Sequence, residues 1–146
     1  MKIPFLIGRL LFGGFFLYHG WNHLKNRSML AQYAGAKHVP KPDVAVTLTG
    51  ALLMVGGASV ILGLKPKVGT AAIAGFLLGV SPMMHDFWRA EDPNQRMNDM
   101  INFLKNMALL GAALALAGVE EPWPMALTET KKAKRLLRIA RRKLAA

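Results

Sequence analysis

His19 and His23 stand at i and i+4, so a helix presents both imidazoles on one face. Zinc sites of the HExxH type use that spacing, and a hydrogen-bonded pair can use it equally. Asn22 lies between them. Ser81, His85, Asp86 and Trp88 close a second apolar run. Asn98, Asp99, Asn102, Lys105 and Asn106 open a third, with Asn102 and Asn106 again at i and i+4. Such side chains are costly in hydrocarbon unless they face water or the inside of a helix bundle. Three kinds of site suit them. One is a polar hydrogen-bond network. Another is a metal or haem site built from His19, His23, His85 and Asp86. The third is a pocket for a redox ligand such as a quinone, with His85 and Lys105 flanking a carbonyl oxygen or an anionic headgroup. Lys105 otherwise snorkels outward or pairs with Asp86 or Asp99.

Other chemistry is absent from the sequence. There is no cysteine, which excludes disulfides, thiol catalysis and thiolate metal sites in this chain. No GxxxxGK[ST] and no GxGxxG after a strand occurs. Ser81, His85 and Asp86 sit in no nucleophile motif.

The elements that must position these residues are four long apolar runs, at 3–24, 44–64, 68–84 and 98–119. A membrane-spanning helix needs about 20 mostly apolar residues, with ~17 as a lower limit. The second and third runs contain no charge. The expected fold is all-α: an integral membrane four-helix bundle over 1–124, followed by a basic amphipathic helix within a tail at 125–146. The first run resembles a signal peptide in its Lys2 and apolar core. Arg9 interrupts it and no clear cleavage site follows, so a retained helix is expected. Residues 29–36 suit a short interfacial helix, with Pro40 and Pro42 breaking any helix before the second span. Lys65, Pro66 and Lys67 read as a tight turn, and 86–97 as a polar loop. Trp21, Trp88 and Trp123 suit the membrane–water interface. Gly75 with Gly79, and Gly111 with Ala115 and Gly118, let backbones approach closely, either inside the bundle or between two copies of the chain.

The net charge of +11 is concentrated at the C-terminal end, in Lys131, Lys132, Lys134, Arg135, Arg138, Arg141, Arg142 and Lys143. Together with Lys2, Lys65 and Lys67 they outweigh Lys25, Arg27, Lys37, Lys41, Arg89 and Arg96 on the opposite side. The positive-inside rule then places both termini in the cytoplasm. A basic amphipathic tail of this kind favours an anionic lipid surface. It serves as a topology anchor or a partner-binding helix, and nothing beyond charge supports nucleic acid. Arg9 is expected to snorkel to the inner headgroups, the alternative being a buried contact to a backbone carbonyl or a lipid phosphate.

Several short segments carry a resemblance. They are Arg9-Leu10-Leu11-Phe12-Gly13 with Phe16, Gly20 and Leu24; Gly56-Gly57 and Gly63-Leu64; His85-Asp86-Phe87-Trp88; and Asn102-Phe103-Leu104-Lys105-Asn106. In order and spacing, up to about Val119, the chain resembles the DoxX family of bacterial and archaeal membrane proteins. The resemblance implies a multi-pass protein of the inner (plasma) membrane with cytoplasmic termini. It also implies association with a quinone-linked oxidoreductase or with complexes that handle thiol or oxidative stress. Many relatives carry an acid in the second apolar segment, whereas 44–64 here has none, and the long basic tail is a second departure. The candidate ligand-binding residues are therefore His19, Asn22, His23, His85, Asp86, Asn102, Lys105 and Asn106. Quinone is the cofactor to test, no metal is assigned, and a redox-protein partner or a second copy of the chain would complete the assembly. The other reading is a non-enzymatic scaffold, or a binder of lipid or another small apolar molecule.

Overall fold

Proline, glycine and aspartate set the helix boundaries. A computed structural model of the chain describes residues 2–127 and 135. Its elements are α1 (Lys2–Lys25), α2 (Arg27–Ala36), α3 (Pro42–Leu62), α4 (Pro66–Met84) and α5 (Pro93–Ala117). The last three open on a proline in the first turn, where its missing N–H costs nothing. Pro42 therefore starts α3 rather than barring it, and Pro66 belongs to α4. The turn before α4 is instead made by Gly63 and Lys65, both with left-handed backbone (φ 65° and 46°). The expected polar loop is shorter than its composition suggests. Asp92 accepts a hydrogen bond from the Gln95 backbone N–H at 2.8 Å and caps α5, so the helix begins at Pro93.

Four helices, all but α2, are long and apolar enough to cross a membrane. Within each, at most 33% of the most apolar stretch is buried in the protein. Leu11, Val55, Val68, Leu78 and Leu114 stay exposed. An aqueous surface rarely tolerates so much contiguous apolar area, whereas acyl chains cover it without cost. The chain is a multi-pass membrane protein.

Helix α1 packs along α3, α3 against α4, and α4 against α5, while α2 lies on α3. The α1–α3 contact depends on glycine. A Cβ at Gly57 would stand 2.6 Å from the Gly13 carbonyl, and one at Gly20 would stand 2.6 Å from the Met54 backbone nitrogen. Helices α3 and α4 touch where Gly56 meets the Gly69 carbonyl, with 3.2 Å for an added Cβ. Gly75, Gly79 and Gly111 behave differently: nothing lies within 4 Å of their Cβ positions, so they pack no helix within this chain.

The end of the bundle holding the start of α1 is plugged by residues 123–126. Trp123 is buried rather than interfacial. It meets Phe5 edge to face at 5.4 Å, and its indole N–H donates to the Val119 carbonyl at 3.3 Å. Trp21 and Trp88 are exposed, as an interfacial role requires. Arg9 does not reach the headgroups. It is 2% exposed, and its guanidinium donates to the carbonyls of Pro124 (3.2 Å) and Met125 (3.3 Å). Both carbonyls lie past the end of α5, where the chain reverses, and Arg9 supplies donors to them. The expected basic helix lies outside the described residues, with Lys131, Lys132, Lys134, Arg138, Arg141, Arg142 and Lys143. Arg135 is described and is exposed.

Candidate functional site

The opposite end of the bundle gathers most of the polar side chains, in two layers. The outer layer is an ionic bridge. Lys37, in the connector after α2, donates to Asp86 at 2.9 Å and to Asp99 at 3.2 Å. Asp99, 1% exposed, also accepts from the Gln95 side-chain amide at 2.8 Å and lies 3.4 Å from His85 Nδ1. The bridge ties the α2–α3 connector to the end of α4 and the first turns of α5. Its hydrogen bond to Lys37 holds the Asp86 carboxyl below the usual range. Burial opposes the charge on Lys37, but the bonds to Asp86 and Asp99 outweigh it and raise the ammonium above the ordinary lysine value. Burial lowers His85, against the pull of Asp99.

The inner layer is a cavity of about 640 Å³, a size typical of small-molecule sites. It exists because α3 and α4 diverge from their Gly56–Gly69 contact toward this end. The stripe of α3 that continues from that contact (Leu52, Thr49, Ala45) and the facing stripe of α4 (Phe76, Val80, Met83) line it. Leu30, Tyr33 and Ala34 of α2 close the end, helped by Val39 and Pro40. Most of the wall is apolar. The polar groups are His19 and His23 of α1, Tyr33 of α2, Thr49 of α3, His85 at the end of α4, and Lys105 and Asn106 of α5.

His23 Nδ1 lies 3.1 Å from Thr49 Oγ1, and the Thr49 hydroxyl donates to the Ala45 carbonyl at 2.7 Å. With its proton so engaged, Thr49 accepts from His23 Nδ1–H. In the neutral ring Nε2 then carries the lone pair. His19 lies against Phe15, with ring centres 4.2 Å apart and planes tilted by 43°. Asn106 is the unusual member. It is only 8% exposed and lines the cavity, yet its side-chain amide has no hydrogen-bond partner among the described residues. The amide atoms are reached from the cavity, whereas the one buried side-chain polar atom without a partner among the described residues is Arg9 Nε.

Of the eight residues singled out by sequence, His19, His23, His85, Lys105 and Asn106 line the cavity, and Asn22, Asp86 and Asn102 do not. Asn22 accepts from Asn26 at 2.6 Å. Asn102 donates to the Asn98 carbonyl at 2.9 Å and accepts from Lys105 at 2.8 Å. Lys105 thus pairs with an amide rather than with Asp86 or Asp99, because Lys37 takes both acids. Among the described residues no group of three His, Asp or Glu side chains is arranged to hold a metal, so His19, His23, His85 and Asp86 do not form such a site.

Sequence reasoning missed Lys37, Thr49 and Gln95. In the sequence Asp99 reads as one of the polar residues opening the fourth run and as a partner for Lys105, not as a ligand-site residue. A usable signal existed for Asp99: with Asn106 and Ala113 it makes a heptad-spaced stripe, and these three are the buried residues of α5. Asn98 and Asn102 lie off that stripe, and Asn106 belongs to it.

Fold and site together define a small all-α multi-pass membrane protein with an apolar, polar-edged cavity near one end. The DoxX family profile matches residues 5–86, more than half of the chain, and runs from α1 to the Asp86 that closes the ionic bridge. The chain belongs to the DoxX family. No curated protein and no solved structure matches it.

Proposed function

We propose that the cavity binds a quinone or a similar apolar molecule with a polar head, and that the protein works as a membrane subunit beside a redox partner. The observation that carries this reading is Asn106, a residue 8% exposed that lines the cavity and makes no side-chain hydrogen bond among the described residues. A ligand carbonyl there would accept from the amide N–H. His19, His23, His85 and Lys105 stand around the same space as further polar partners. Such a ligand would supply two-electron redox chemistry. This chain's part is to bind and orient it, to keep bulk water out with α2, and to hold a proton at His85. The partner would supply electrons. In the orientation favoured by the positive-inside rule, with termini in the cytoplasm, the cavity lies toward the non-cytoplasmic face of the inner membrane.

Asn106→Leu keeps the volume of the side chain and removes its amide. Titration of the purified protein in lipid nanodiscs with a short-chain benzoquinone should show affinity weakened by roughly tenfold, the worth of one buried hydrogen bond. Equal affinity in parent and variant would sink the assignment. Tight retention of phospholipid alone by both would support the second reading, a lipid or small-molecule binder without redox chemistry.

A further inference from the structure

We propose that the ligand carries a long apolar chain, and that this chain leaves the cavity sideways into the lipid through a window between α3 and α4 bounded by Gly75 and Gly79. This inference rests on the proposed binding function and adds the class of molecule and its route.

The depth of the cavity and the position of its mouth carry the argument. Asn106 is seven residues beyond Asp99, so it lies about 10 Å deeper than the ionic bridge at 1.5 Å per residue. Gly79 and Gly75 precede His85 by six and ten residues, which puts them about 9 and 15 Å deep by the same rise. The unpartnered amide and the two glycines therefore share one level, inside the hydrocarbon. Both glycines line the cavity, are exposed on the outer surface of the bundle and have nothing within 4 Å of a Cβ. Leu52, at mid-length of α3, is likewise both cavity-lining and exposed. The wall here is open because glycine leaves it without a side chain.

The aqueous end is arranged in the opposite way. Leu30, Tyr33 and Ala34 lie across it, and Lys37 fastens the following connector to Asp86 and Asp99. A molecule with its head at Asn106 meets a closed cover toward water and an open wall toward acyl chains. A membrane-dissolved amphiphile suits that geometry, with its head held by the polar edge and its chain lying past Gly75 and Gly79. A small water-soluble ligand does not need the window.

The test uses two quinones with the same ring, one without a chain and one with a decyl chain. Each is titrated against the full-length protein in nanodiscs. Gly75→Phe with Gly79→Phe fills the window from outside the packed core, and Gly75→Ala with Gly79→Ala serves as the control. The double Phe variant should keep its thermal transition, and because both positions line the cavity its effect is read as the difference between the two quinones. It should lose at least roughly tenfold more affinity for the decyl quinone than for the chain-free ring, from apolar contacts no longer made. The alanine control should match the parent for both. An unchanged decyl affinity, or an equal loss for both quinones, overturns the window while leaving a cavity that binds the ring. If the parent binds neither quinone, the binding function itself fails and the window with it.

Discussion

Gly57→Val separates α1 from α3 and destabilises the bundle by about 3 kcal/mol or more, the upper end of what overpacking costs. The cause is backbone rather than side-chain crowding. The first added carbon would meet the Gly13 carbonyl at 2.6 Å and the Leu17 backbone nitrogen at 2.7 Å. Neither atom can rotate away. Relief requires the two helices to move apart along their whole contact, which includes the close approaches at Gly20 and Gly50. In lipid no hydrophobic force draws helices together, so close packing is what holds them. Moving α1 also carries His19 and His23 away from Thr49 and the cavity. The expected result is a large drop in the thermal transition of the detergent-solubilised protein and loss of quinone binding. Gly75→Val, at an open position, should leave the transition where it is. Equal stability of the Gly57 and Gly75 variants would contradict the packing described here.

Lys37→Met should cost roughly 2 kcal/mol, less than breaking a fully buried ion pair because the Lys37 and Asp86 side chains are 21% and 23% exposed. It leaves Asp99 buried with only Gln95 and His85, and Asp86 with no ammonium. Its pH dependence is distinctive. The Asp86 value is depressed by Lys37, so that contribution is complete above the ordinary aspartate range, near about 3.9, and is lost as pH falls through the lowered value. The Lys37 value is raised, so its contribution is complete below the ordinary lysine range, near about 10.4, and is lost as pH rises through the raised value. Burial depresses His85, which adds a loss of stability as pH falls below about 6.5. The parent should therefore be most stable between roughly pH 7 and 10. The gap between parent and Lys37→Met should be widest there and should close on the alkaline side. Coincident stabilities of parent and variant between roughly pH 7 and 10 would show that the bridge contributes nothing.

The spans were legible because about 20 uninterrupted apolar residues have few other uses. The polar end was legible for a related reason, since histidine, asparagine and lysine inside apolar runs need a common refuge. Pairing was not. The sequence places Lys37 in a polar connector, and only the fold of α2 across the cavity brings it to Asp86 and Asp99. Arg9 was read by depth alone, and its partners lie more than a hundred residues away, at Pro124 and Met125. Gly75 and Gly79 matched a helix-packing motif, but a GxxxG pair does not say whether a partner helix is present on its face. In this chain Gly13, Gly20, Gly50 and Gly57 do the packing, and the Gly75 face remains open.

The central claim is that the cavity-facing Asn106 amide has its partner in a bound molecule rather than in the protein. It is tested most directly by purifying the parent and Asn106→Leu gently in native lipid and identifying by mass spectrometry what each retains. The parent should hold a quinone in near one-to-one amount, with the variant strongly depleted. Phospholipid alone, at equal levels in both proteins, would contradict the claim and leave the cavity as a lipid-filled gap between helices.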